Sequence, residues 1–238
     1  MAHVKWIDTS DLKGVTPPEV DWVIKDVAAV GALSLMVGAP GMGKSFLSLA
    51  LASGVASGGV DVAGFQTEHG AVVAFDAENG SSEIHRRCNT LDLYRNCRIA
   101  DVSGGFSLVH DREEIYDAAV PAPVKLVILD SLRTLCPELD ENSSDEVTMM
   151  LSGIQTLARE SDVAVLILHH LNKTGTFRGS GAMTAVPEIV IRMYGDENDQ
   201  YNRRSLTWEK FRLGSRPDRK WITLKDGRVS ESWHPRSD

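Results

Sequence analysis

The stretch that decides the fold is Leu33-Ser-Leu-Met-Val37 followed by Gly38, Ala39, Pro40, Gly41, Met42, Gly43, Lys44, Ser45 and Phe46. A short apolar run reads as a strand, and Ser45-Phe-Leu-Ser-Leu-Ala-Leu-Ala-Ser53 reads as a helix. Between them stands the pattern G-x-x-x-x-G-K-[ST], the signature of a phosphate-cradling loop. Its physics is direct. Glycines let backbone N–H groups turn inward toward phosphate oxygens. The start of the following helix adds the positive end of its dipole. Lys44 places a charge on the β- and γ-phosphates, and the Ser45 hydroxyl is suited to Mg²⁺. Residues Gly38 to Phe46 are therefore the expected ATP-binding segment.

Working outward, Ala71-Val-Val-Ala-Phe75, Lys125-Leu-Val-Ile-Leu129 and Val163-Ala-Val-Leu-Ile-Leu168 are further apolar runs of strand length. Their continuous character suits strands covered on both faces. Helical stretches are expected around Glu83 to Leu91, and from the capping residues Asn142-Ser-Ser-Asp145 to about Glu160. This alternation predicts an α/β fold with a mostly parallel sheet flanked by helices. After Gly181, the segments Glu188 to Met193, Arg204 to Arg212 and Lys220 to Lys225 read as strands joined by turns. They predict an antiparallel C-terminal extension of the same sheet. Residues 1–28 are polar, contain Pro17-Pro18, and read as an N-terminal arm before one ATPase domain at 29–238.

The chain has 238 residues, 42% hydrophobic and 24% charged, an ordinary globular composition. Its three cysteines, Cys88, Cys97 and Cys136, include no C-x-x-C, so the expected compartment is a reducing cytoplasm. The apolar runs are too short to span a membrane, and the first residues lack an apolar signal core. The net charge of −8 argues against a sequence-independent coat for DNA. The charge is uneven, however: residues 201–238 carry ten Lys and Arg against five Asp and Glu. Such asymmetry allows a local anionic partner on an acidic chain.

A phosphate loop needs an acid to orient its metal. Asp130 ends an apolar strand, which sets its carboxylate at the carboxyl edge of the sheet, where ligands bind in open α/β folds. Ser45 and Asp130 are the expected metal pair. Hydrolysis also needs a group that positions water. Glu78, just beyond the second strand in Phe75-Asp-Ala-Glu-Asn-Gly80, is the leading candidate base, and Asp76 competes with it.

Ala77-Glu-Asn79, Leu129-Asp-Ser-Leu-Arg133, Asp140-Glu-Asn-Ser143, Leu168-His-His-Leu-Asn-Lys173 and Arg178-Gly-Ser180 occur in an order that resembles the RepA-type plasmid replicative helicases. These are RecA-like ATPases related to the DnaB-type ring helicases. The resemblance covers about residues 20 to 225. It implies a homohexamer with ATP at the subunit interfaces and single-stranded DNA in a central channel. It sets Glu78 on the catalytic glutamate and His170 on the sensor of the γ-phosphate, with His169 its neighbour. Arg178 falls on an arginine finger reaching into the adjacent subunit. Lys210-Phe-Arg212 falls on a Lys-x-Arg finger that also acts across the interface, and Arg87 on an arginine near the site. The basic segment Asn172 to Arg178 is the better candidate for touching a phosphate backbone, and the acidic segment Pro137 to Glu146 the poorer one. Two other readings stand beside the helicase: a RecA-like DNA-binding ATPase that does not unwind, as a recombination mediator or helicase loader, and a small-molecule P-loop kinase.

Overall fold

The structure is a computed structural model that describes residues 6–119, 124–171, 181–196 and 199–233. After a 3-10 turn at Thr9–Leu12, strands β1 (Trp22–Ile24) and β2 (Ala28–Ala29) form a small antiparallel pair. Then come β3 (Leu33–Gly38), α1 (Lys44–Ala56), β4 (Ala71–Asp76), α2 (Ser81–Leu91), β5 (Cys97–Asp101) and α3 (Arg112–Ala119). The second half holds β6 (Val124–Asp130), α4 (Leu132–Leu135), α5 (Ser144–Glu160), β7 (Ala164–His170) and α6 (Ala182–Ala185). It ends with β8 (Ile189–Gly195), β9 (Arg203–Phe211), β10 (Lys220–Lys225) and β11 (Arg228–Glu231).

Nine strands make the main sheet in the order β11-β10-β9-β8-β3-β7-β6-β4-β5. From β8 to β5 neighbours run parallel, and from β8 to β11 they run antiparallel. The expected fold is thus the one observed, including the C-terminal extension. The central strands β3 and β7 are buried along nearly their whole length, which is why their sequences are apolar without alternation. One core, with Leu47, Leu51, Leu126 and Ile128, lies under α1. The other, with Leu129, Leu151, Leu157 and Ile167, lies under α5. Ser143 caps α5 by accepting from the backbone N–H of Glu146.

Residues 22–28, assigned by composition to the arm, pack into the α1 core through Val23, Ile24, Val27 and Ala28. At the amino edge of the sheet, Glu188 ties three elements together. Its carboxylate accepts from Leu33 N–H at 3.0 Å, Gln155 Nε2 at 2.6 Å and Arg159 Nη2 at 2.9 Å.

Candidate active site

Lys44, Glu78, Asp130 and His170 collect at the carboxyl edge because each apolar strand stops there. The register pairs Gly38 with His170 and Asp76 with Asp130, so the ends of β3, β7, β6 and β4 line one edge. The phosphate loop leaves β3 and enters α1. Gly41 and Gly43 hold φ of 77° and 92°, left-handed values that favour glycine. A side chain at Gly43 would also collide with Leu224, and one at Gly38 with the carbonyl of Met193.

Lys44 is 3% exposed. Its Nζ donates to the carbonyls of Gly38 at 2.9 Å and Ala39 at 3.1 Å, and lies 3.1 Å from His170 Nδ1. Burial pushes its pKa down to about 8, against the attraction of Asp130 and Glu78. The ammonium is thus satisfied by backbone carbonyls of the loop itself.

Asp130 lies beneath the loop, 6% exposed. Burial pushes its pKa up to about 6; a hydrogen bond with Ser45 works against this, and the negative charges of Asp76 and Glu78 add to it. Mg²⁺ keeps most of its waters and takes only one or two protein oxygens beside the phosphates. A buried carboxylate hydrogen-bonded to the Ser45 hydroxyl fits that donor set.

Glu78 and Asp76 differ in what engages them. Asp76 Oδ1 accepts from the backbone N–H of Glu78 at 3.0 Å and of Asn79 at 2.9 Å, and Asn79 Nδ2 donates to Oδ2 at 2.9 Å. Asp76 therefore builds the turn after β4. That turn carries Glu78 to the edge, where its Oε1 accepts from Ser131 Oγ and meets His170 Nε2 at 2.7 Å. The hydrogen bond with His170 is the largest influence holding the Glu78 carboxyl below its usual range, against the opposing effect of burial. Lysine can only donate, so His170 Nδ1 accepts from Lys44 and Nε2–H donates to Glu78. His169, the next residue on β7, turns to the opposite face and is 1% exposed.

Arg87 comes from α2 and donates through Nε to Glu83 at 2.7 Å. Its charge acts on Asp130, lowering that pKa. Ser131, absent from the expected site residues, is the second partner of Glu78; its place directly after Asp130 was its only signal. Arg204 was likewise missed: its Nε donates to the Met42 carbonyl of the phosphate loop at 3.1 Å.

Lys210 and Arg212 lie elsewhere. Val190 pairs with Lys210, Ile189 with Phe211, and Ile189 with Ser34. They sit at the amino edge of the sheet, four residues or about 13 Å along β3 from the phosphate loop. Lys210 Nζ donates to the carbonyls of Thr184 at 2.7 Å and Ala185 at 2.5 Å, at the end of α6. Burial, with the Arg212 charge adding, pushes the Lys210 pKa down to about 8. Arg212 is exposed. Arg178 and the basic segment before it lie outside the described residues, and among the described residues no helix is long and apolar enough to cross a membrane.

A phosphate loop on a mostly parallel sheet, with an acid on a neighbouring strand and a carboxylate beyond the next, defines a P-loop ATPase of RecA-like architecture. The chain matches the family described as AAA domain (AAA_25) over residues 2–176, and it belongs to that family. It is 28% identical to DNA repair protein RadA of Helicobacter pylori J99, covering 84% of this chain and 41% of that protein. It is 24% identical to RadA of Streptococcus pneumoniae R6, covering 86% of this chain and 45% of that one. The chain thus spans less than half the length of these curated relatives. Among solved structures, the ATPase domain of G40P superposes with a TM-score of 0.65 at 17% identity, covering 85% of each chain. A DnaB-like replicative helicase gives 0.66 at 18% identity, covering 84% of this chain and 57% of that one. A KaiC-like protein of Pyrococcus horikoshii OT3 gives 0.66 at 15%, covering 88% and 93%. At these identities the solved structures speak for the fold.

Proposed function

We propose that the protein is a ring-forming ATPase that uses ATP hydrolysis to move along single-stranded DNA in the cytoplasm, a replicative helicase of the RepA and DnaB type. The observation that carries this reading is the division of charged groups between two edges of one sheet. Lys44, Glu78, Asp130 and His170 gather at the carboxyl edge, while Lys210 and Arg212 stand at the amino edge, out of reach of the same phosphate loop. A second copy in a closed ring, with six as the expected number, brings one edge against the other. Arg178, matched to a finger in the helicases that the sequence resembles, is assigned to the same interface.

In this mechanism Lys44 leaves the carbonyls of Gly38 and Ala39 for the β- and γ-phosphates. Ser45 and Asp130 would hold Mg²⁺, which when bound would supply positive charge against the phosphates. Glu78 orients a water and takes its proton as the water oxygen attacks the γ-phosphorus and the bond to the bridging β-oxygen breaks. His170, bonded to Glu78 and to Lys44, reports phosphate occupancy from the centre of the sheet. A finger from the neighbour offsets charge on the γ-phosphate oxygens, an effect worth about 10³ to 10⁵ in rate in related reactions.

A second reading is a RecA-like DNA-binding ATPase that does not unwind, as a recombination mediator or helicase loader; the similarity to DNA repair protein RadA favours a role in repair over replication. Two measurements divide these readings. ATPase rate against protein concentration, with and without single-stranded DNA, tests assembly and DNA coupling together. Unwinding of a forked duplex then separates a helicase from a non-unwinding ATPase. A P-loop kinase is expected to show neither concentration dependence nor stimulation by DNA.

A further inference from the structure

Arg204 stands on β9, opposite Gly195 at the end of β8. It is half-buried, its Nε donates to the Met42 carbonyl at 3.1 Å, and its Nη1 donates to the Arg203 carbonyl at 2.9 Å. Met42 lies inside the phosphate loop and is 6% exposed. The arginine stem fills the space where a side chain at position 195 would be. A Cβ on Gly195 would meet Arg204 Nε at 2.8 Å and Met42 Sδ at 3.0 Å. Gly195 is therefore glycine for space, and that space is occupied by Arg204.

We propose that Arg204 is a positioning residue for nucleotide binding: it holds the Met42 carbonyl and so keeps the loop's N–H groups turned toward phosphate. The proposal rests on reading residues 38–45 as the phosphate loop. A peptide unit has its C=O and N–H on opposite sides. Anchoring the Met42 carbonyl to a guanidinium on the sheet side directs the next N–H, that of Gly43, the other way. Gly43 and Gly41, both at positive φ, are free to rotate when that anchor is lost. Without it the loop must be ordered by the ligand, and the cost appears as weaker binding. Arg204 does not touch the reacting atoms, so nucleotide that does bind should be hydrolysed at nearly the same rate. The antiparallel extension thereby gains a role at its own subunit's site, distinct from the Lys210 and Arg212 end of the same strand.

The test measures binding of a fluorescent ADP analogue to the full chain, with inorganic tripolyphosphate as competitor, together with KM and kcat for ATP. Arg204→Ala should weaken both ligands by about tenfold, the scale of one lost charge-assisted hydrogen bond, and raise KM while kcat changes little. Arg204→Lys, which can still donate to the carbonyl, should recover much of the affinity. Gly195→Ala should displace the arginine and reproduce the defect in a chain that keeps it. In the double variant the two losses should not add, because both act on one contact. Unchanged affinity in Arg204→Ala, additive losses in the double variant, or a fall in kcat with KM unaltered each overturns the proposal. If Arg204→Ala does not fold, Gly195→Ala carries the same decision. Lys44→Ala in the same assay keeps the two ideas apart: normal binding there removes the phosphate-loop reading, whereas lost binding there with normal binding in Arg204→Ala removes only the role of Arg204.

Discussion

His170 Nε2 lies 2.7 Å from Glu78 Oε1, a contact that joins the ends of strands separated in the sheet by β6. Because the same ring meets Lys44 through Nδ1 at 3.1 Å, the proposed base and the phosphate-binding cation are linked through one imidazole. A ligand that draws Lys44 away changes what His170 can hold. In the proposed mechanism this is the route from phosphate occupancy to the freeing of Glu78.

Glu78→Gln is expected to bind nucleotide and to lose at least about a hundredfold in hydrolysis, the lower range for loss of a general base. Steady-state phosphate release beside nucleotide binding checks this. Retained turnover in Glu78→Gln with an inactive Asp76→Asn would instead move the base by two residues.

His170→Ala should shift the pH profile in a defined direction. The His170 hydrogen bond is the largest influence lowering the Glu78 pKa. Removing it lets that pKa rise, and a base that works as the carboxylate is then lost at higher pH. The acid limb of kcat should move upward in pH relative to the parent protein. An unmoved limb with kcat intact would detach His170 from the base.

Asp130→Asn should stabilise the protein free of nucleotide and Mg²⁺ while removing metal-dependent hydrolysis. The folded carboxyl, raised to about 6 from 3.8, keeps its proton where the unfolded chain has released it. Stability is therefore lost as pH rises from about 4 to about 6, and the loss stays constant above. The amide carries no such penalty. Denaturant unfolding should give Asp130→Asn an advantage of about 1–3 kcal/mol at pH 7 that shrinks toward pH 4. An advantage independent of pH would point to packing instead.

What was legible in the sequence follows from burial. Strands β3, β4, β6 and β7 are covered on both faces and announce themselves as apolar runs. Edge strand β5, with Arg98 and Asp101 among its five residues, carries no such run and was not foreseen. Strand β11 is short and largely exposed, and helix α3 is short and spaces its buried Ile115 and Ala119 among charged residues, so neither carries an apolar run. Lys44, Ser45 and Asp130 could be read because each stands at fixed spacing from an apolar run. Spacing alone left Glu78 and Asp76 open. They differ in the turn that Asp76 closes with Asn79, a matter of side-chain direction that periodicity does not carry. Arg204 reaches the loop across 162 residues, a distance over which a single sequence holds no local signal, and Ser131 reaches Glu78 across 53, marked only by its place after Asp130.

Glu188→Ala should destabilise the fold by about 2–4 kcal/mol, since it leaves the Leu33 N–H unsatisfied and removes the partner of Arg159. Glu188 is only 9% exposed, so water cannot replace those bonds at little cost. Glu188→Gln, which keeps an acceptor, should lose less. Urea unfolding of the two variants measures the difference, and equal losses would show that charge rather than the Leu33 bond governs the site.

In the proposed ring each site is completed by a neighbour's Lys210 and Arg212, and mixing two inactive variants decides whether it is. Lys44→Ala loses its own phosphate site and keeps its fingers. Arg212→Ala keeps its phosphate site and loses the finger that it offers. In mixed rings some interfaces join an intact loop to an intact finger, so phosphate release should recover to a measurable fraction of the parent rate. Recovery in the mixture, with each variant inactive alone, is the predicted result. No recovery, with mixed oligomers verified by tagged pull-down, would contradict the assignment of Arg212 to the neighbouring site.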